Sequence, residues 1–151
     1  MADFPFYSFD SALLQLALGK NSVLDLTTDT LAIYLSNTAP NRVTHQKKGD
    51  LPEIATGGGY AGAVNLTITS RAIESNYWVI KANNIDWTGS GSGFGPFRYP
   101  ILYDITSNAT DSERKLLGYW AFPSSQTVSA GSLFRFGVSS LNGMLRLSTI
   151  I

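Results

Sequence analysis

Between residues 31 and 150 the apolar side chains recur at every second position in short runs, and each run is cut by Gly, Pro, Asn or Asp. LAIYLSN (31–37) sets Leu31, Ile33 and Leu35 against Ala32, Tyr34 and Ser36. AVNLTIT (63–69) sets Val64, Leu66 and Ile68 against Asn65, Thr67 and Thr69. A period of two points successive side chains to opposite faces of an extended chain, so both runs predict strands with one dry and one wetter face. NYWVIK (76–81), IDWT (85–88), FRYPILYD (97–104), KLLGYWAF (115–122), SLFRFGV (132–138) and MLRLSTI (144–150) bring the candidates to about eight. The connections NTAPN, GDLP, TGGG, TSNATDSE, FPSS, SAGS and LNG hold most of the turn-forming residues. The expected fold is mainly β: one domain over residues 1–151, an antiparallel β-sandwich of jelly-roll-like type.

One stretch departs from this period. SFDSALLQLALG (8–19) predicts a short helix over 10–19, capped by Ser8 or Asp10 and stopped by Gly19, with Leu13, Leu14, Ala17 and Leu18 as a stripe of helical spacing. Ahead of it, Phe4, Phe6, Tyr7 and Phe9 form an aromatic arm (1–9), and a terminus this aromatic docks on something. Residues 36–59 make a long irregular loop containing His45, Lys47 and Lys48, which implies a functional loop or an arm ordered by a partner.

Composition narrows the function. Charged residues are only 15% of the chain and hydrophobic ones 44%, whereas surfaces of small soluble domains carry roughly 25–35% charge. Part of the surface is therefore expected to be covered by another protein. Eleven basic and eleven acidic side chains cancel, which argues against nucleic acid as a ligand. The one basic cluster, Lys47-Lys48, reads as a solvated loop tip. There is no cysteine, hence no thiolate metal site or thiol nucleophile. The start MADFPFYSFD has no basic targeting region, and the apolar run 12–18 is too short to span a bilayer, so no membrane role is expected.

The glycine-rich stretch GSGSGFGPFRYPILYD (89–104) resembles a phosphate cradle only at first sight. Such a loop needs a helix after its glycines, and here Pro96 opens a β-like run instead. The stretch reads as a wide turn feeding a strand with Phe97, Tyr99, Ile101 and Tyr103 on one face, and Pro100 marks an edge or a bulge. His45 is the sole histidine and no nucleophile-elbow pattern accompanies it. Asp86, Asp104, Asp111 and Glu113 are the acids available for glycoside chemistry, and the loop 104–113 is oxygen-rich enough to consider calcium, although it lacks the ordered loop pattern. Trp78, Trp87 and Trp120, with Tyr34, Tyr60, Tyr77, Tyr99, Tyr103 and Tyr119, offer rings for sugar stacking or for a core. No combination makes a catalytic constellation, so the chain is expected to be no enzyme and to use no cofactor or metal.

Four blocks carry a family likeness: LAIYLSNTAP, DLPEIATGGGYAGA, IDWTGSGSGFGPFRYPILYD and LLGYWAF. In this order, over roughly residues 20 to 138, the chain resembles small virion proteins of tailed phages and prophages. It departs from them at Pro100 and in the insertion TSNATDSERK before the last block. The resemblance implies a capsid cement (decoration) protein on the virion exterior, assembled in the host cytoplasm as a dimer or trimer and bound to the major capsid protein. Alternatives are a tail or fibre component that recognises a host surface glycan, and a glycan-active enzyme. The expected interface residues are Phe4, Phe6, Tyr7 and Phe9 of the arm, then His45, Lys47 and Lys48 of the long loop.

Overall fold

The computed structural model describes residues 4–18, 22–75, 77–137 and 145–148. In chain order the elements are β1 (Phe6–Ser8), α1 (Asp10–Ala17), β2 (Leu31–Ser36), β3 (Val64–Asn65), β4 (Ile68–Glu74), β5 (Tyr77–Ala82), β6 (Ile85–Thr88), β7 (Phe94–Phe97), β8 (Tyr99–Asp104), β9 (Leu116–Trp120), β10 (Gln126–Val128), β11 (Leu133–Phe136) and β12 (Leu145–Ser148). A five-stranded sheet runs β1-β9-β8-β2-β3, a three-stranded one runs β12-β5-β4, and β10-β7 and β11-β6 form two-stranded ribbons. Every pairing among the described residues is antiparallel, as the period-two runs imply. The strands are shorter and more numerous than the runs. AVNLTIT divides into β3 and the start of β4, the aromatic arm supplies β1, and Phe94–Phe97 pairs with Gln126–Val128.

The five-stranded sheet has apolar layers on both faces. Leu31, Ile33, Leu35, Leu102 and Trp120 point into the larger core, which also holds Ile80, Trp87, Phe97, Phe122 and Phe136. Ala32, Tyr34, Ile101 and Tyr103 point the other way, into a smaller cluster with Phe9 and Leu51. All six residues of β2 are therefore buried, and the wetter face expected for this strand does not exist. The cover is the long loop itself. Tyr34 donates its hydroxyl to the Leu51 carbonyl (2.9 Å), Ser36 Oγ to Pro52 (2.6 Å), and the Ile54 N–H donates to Leu35 (2.9 Å). A loop can lie over a sheet this way because its own backbone groups find partners there.

Pro100 sits on an inner strand, opposite Leu35 of β2, and not at a sheet edge. The β8–β9 register starts at Ile101 and does not include Pro100, so the missing N–H falls where that pairing stops. A register shift follows between Leu102 and Tyr103. Phe97 belongs to β7 and the larger core, whereas Tyr99, Ile101 and Tyr103 share the opposite layer, so the four do not line one face.

The glycines of 89–95 make a three-loop junction. The Ser90 N–H donates to Gly58 (2.9 Å), Gly89 to Ser132 (2.9 Å) and Gly131 to Gly89 (2.8 Å). Loops 57–59, 89–93 and 128–132 thus meet backbone to backbone. An ideal Cβ on Gly58 would fall 1.7 Å from the Gly93 oxygen, which leaves room for no side chain.

The helix α1 differs from expectation in its cap and its face. Its N-cap is Phe9, without a side-chain hydrogen bond from Ser8 or Asp10, and the expected stop at Gly19 lies outside the described residues. Ala12 is buried and Leu16 packs against the larger core, while Leu13, Leu14 and Leu18 are exposed. The apolar stripe read from the sequence faces outward.

Candidate interaction surface

The aromatic arm is spent largely on its own chain. β1 pairs with β9 in the register Phe6–Trp120, Tyr7–Tyr119 and Ser8–Gly118. Phe4 meets Phe122 edge-on with ring centres 4.8 Å apart, and Phe6 lies 4.8 Å from Trp120. Phe6 fills the space above Gly118, where an added Cβ would come within 2.1 Å of its ring. Phe9 has no exposed surface at all. A free arm reaching to a partner is thus corrected for Phe9, which is part of the smaller core, and for Phe4 and Phe6, which are partly buried against the larger core. Tyr7 alone stays exposed, with one ring face stacked on Tyr119 at 5.2 Å.

The loop residues are also committed internally. His45 closes a local turn: its Nδ1 accepts the Asn41 N–H (3.0 Å) and its own N–H donates to Asn41 O (3.0 Å). Lys47 donates to both Glu113 oxygens at 2.8 and 3.0 Å, which pushes its ammonium pKa up. Lys48 is the surprise. Its side chain is only 13% exposed and bonds Asp111 Oδ2 at 2.6 Å, with Glu53 at 3.4 Å. The ammonium sits 5.4 Å from the centre of the Tyr34 ring and 5.2 Å from that of Tyr103. Burial pulls the Lys48 pKa down, but the Asp111 hydrogen bond and the negative charges nearby carry it above its ordinary value. The solvated loop tip is corrected: these two lysines clamp the 48–50 turn onto the 111–113 turn.

The candidate acids are dispersed by the same contacts. Asp86 on β6 forms a two-pronged pair with Arg135 directly opposite on β11, both bonds 2.7 Å, and this holds its carboxyl below the usual range. Asp111 serves Lys48 and Arg114, and Glu113 serves Lys47. Asp104 is turned inward and fully buried. The calcium reading of 104–113 therefore fails on geometry, and among the described residues no three His, Cys, Asp or Glu side chains gather as a cation site. Among the described residues, too, no helix is long and apolar enough to cross a membrane.

The rings that sequence offered for sugar stacking are mostly interior. Trp87, Trp120, Tyr34, Tyr60 and Tyr103 are buried, and Trp78 packs on the larger core. Tyr99 meets Tyr119 edge-on at 77° between planes, so the half-exposed tyrosines of β8 and β9 do not build a flat platform.

Much of the exposed apolar surface lies on the arm and α1, with Ile73 of β4 and Leu133 of β11 exposed elsewhere. Of the eight large hydrophobics left exposed among the described residues, Tyr7, Leu13, Leu14 and Leu18 belong to the arm and helix. Val23 joins them through its N–H bond to Gln15 Oε1 (3.0 Å), and Val43 follows Arg42, which caps the arm by donating Nε to Ser8 O (2.8 Å). Sequence reasoning named the leucines but assigned them no partner role. The signal was present: Phe9, Ala12 and Leu16 form a second stripe of helical spacing, and only one of two stripes on a short helix can face the core.

Comparison of the chain with protein-family models, with curated proteins and with solved structures finds no match.

Proposed function

We propose that this chain is a non-enzymatic structural protein of a tailed-phage virion, a cement protein on the capsid exterior that bridges subunits of the major capsid protein as a dimer or trimer. The observation that carries the reading is the outward apolar stripe of α1 on a module whose exposed candidate acids Asp86, Asp111 and Glu113 and loop cations Lys47 and Lys48 are already held in ion pairs. The four sequence blocks that resemble those of small phage virion proteins suggest the virion context. Leu13, Leu14 and Leu18 are 47, 61 and 43% exposed, so covering them contributes roughly 2–4 kcal/mol per copy. That is weak for one contact and adequate when several linked copies hold a lattice.

Co-sedimentation with assembled shells tests this. The wild-type protein should bind saturably, and Leu14→Glu should keep its thermal stability while losing most of that binding. Absence of saturable binding by the wild type removes the cement reading. Labelling of tails instead of heads, with binding on a glycan array, would replace it by the host-recognition reading.

A further inference from the structure

The segment before β2 and the turn after β8 lie side by side and bring the Asp29 and Asp104 side chains within hydrogen-bonding reach of each other. Asp104 ends β8 opposite Leu31, the first residue of β2, and Asp29 lies two positions before Leu31. Asp104 is 0% exposed and Asp29 6%. The backbone ties the two segments together, since Ile105 N–H donates to Thr30 O (3.0 Å) and Thr30 N–H to Thr106 Oγ1 (2.9 Å). Asp104 Oδ1 accepts the N–H groups of Thr106 (2.8 Å) and Ser107 (3.2 Å), but among the described residues no N–H or hydroxyl donor reaches Oδ2. Asp29 Oδ2 accepts the Asp25 N–H at 2.6 Å.

Among the described residues no Lys, Arg or His forms an ion pair with either carboxyl. Arg71 of β4 gives its guanidinium to the carbonyls of Thr27 and Asp29 and keeps a buried, unpartnered Nε. Lys115 offers Asp104 only its backbone carbonyl (3.0 Å). The carboxylate of Asp25 is taken by Thr27 and Thr28. Two neighbouring carboxylates removed from water cannot both stay ionised, and one proton between them supplies the missing donor.

We propose that Asp29 and Asp104 share a single proton, which latches the 25–30 segment onto the turn after β8 and makes the hold of that latch weaken as pH rises. Burial and the Asp29 carboxyl lift the Asp104 pKa to about 8, so the pair keeps its proton at neutrality; the value belongs to the two groups jointly. Once the segment opens, Asp104 returns to an ordinary carboxyl near 3.9. Between these limits the closed form holds one proton more than the open form. Opening therefore gains about tenfold per pH unit and levels off above the upper limit.

Amide hydrogen exchange on the folded protein, corrected for the intrinsic rate, reads this directly. Protection of residues 25–30 and 104–107 should fall about tenfold per unit from pH 5 to pH 7, and should be flat with pH in Asp104→Asn, whose amide keeps the Oδ1 acceptor and offers a permanent donor to Asp29. Equal slopes in both proteins, or a flat wild type, would overturn the proposal. Should Asp104→Asn not fold, carbon-13 titration of the wild-type aspartates decides. One carboxyl carbon still titrating above about pH 6 supports the shared proton, and completion of every titration below that pH removes it.

Discussion

Gly58 and Gly91 form a matched pair for asking what the three-loop junction is worth. Both have left-handed backbones, φ +60° and +55°, but an ideal Cβ on Gly91 meets nothing within 4 Å, whereas on Gly58 it lies 1.7 Å from Gly93 O and 2.3 Å from Gly93 C. The left-handed conformation costs an L-residue about 1–2 kcal/mol, and the gain from stiffening the unfolded chain is common to both substitutions. Gly91→Ala should lose only that conformational term. In Gly58→Ala the contact must open past 3.0 Å, a shift of more than 1 Å between two stretches of backbone. That strain adds about 1–3 kcal/mol, and the Ser90–Gly58 hydrogen bond lost with it adds about 1 kcal/mol. The sum is about 3–6 kcal/mol, a large share of the roughly 5–15 kcal/mol that holds a typical domain. At about 2–4 °C per kcal/mol for this size, Gly91→Ala should melt about 2–8 °C below wild type and Gly58→Ala more than about 6 °C below. Urea unfolding monitored by tryptophan fluorescence gives both free energies. Equal losses for the two variants would mean the loops are not in close contact, and the junction would have to be abandoned.

The remaining expectations are simpler. Lys48→Met should cost about 1.5–3 kcal/mol, since it removes charge-assisted bonds made by a largely buried ammonium, although Asp111 keeps Arg114 and Glu53 keeps Tyr60, while Lys47→Met, at an exposed pair, should cost under about 1 kcal/mol; comparable melting shifts would contradict the clamp. Phe9→Ala, at a position without exposed surface, should lose about 3–5 kcal/mol, whereas Tyr7→Ala should lose about 1 kcal/mol from its stacked ring. Stability should peak on the acid side of neutrality. The carboxyls of Asp25, held by the Thr27 hydroxyl, of Asp86, held by Arg135, and of Asp50, held despite burial by the N–H groups of Gln46 and Lys47, lie below their ordinary value. Their contribution is present above about pH 4 and is lost as pH falls through their folded values. Asp104 acts oppositely: its contribution is full below about pH 4 and is lost as pH rises toward about 8. A melting temperature that climbs steadily to pH 8 would refute this assignment.

The strands are legible because alternation reports local geometry directly. β2, β5, β6, β8 and β9 fall where period-two runs place them. What alternation does not report is how many faces are covered. Tyr34 and Ser36 read as the wetter side of β2, yet they are roofed by residues 17 and 16 positions downstream, through hydrogen bonds that no periodicity encodes. Lys48 reads as solvated for the same reason, since its anion Asp111 arrives from a turn 63 residues later. The helix is ambiguous in another way. Two stripes are compatible with its sequence, and the one that faces inward is Phe9, Ala12 and Leu16, with Phe9 in the smaller core and Ala12 and Leu16 at the larger. The buried carboxyl of Asp104 reads in the sequence only as a loop acid, because its neighbour Asp29 enters through the pairing of β2 with β8.

The pairing of β1 with β9 also has a meaning in time. At roughly 5–20 residues per second of synthesis, roughly ten seconds separate the emergence of Tyr7 from that of its partner Tyr119. Through that interval the aromatic arm has no sheet edge to join, because β9 lies between β1 and the rest of the sheet. The aromatic segment is thus made well before the strand that shelters it, and it waits without its sheet partner until β9 is made. Any factor that guards this protein on the ribosome should engage the FPFYSF segment and let go only once the LLGYW strand has cleared the exit tunnel.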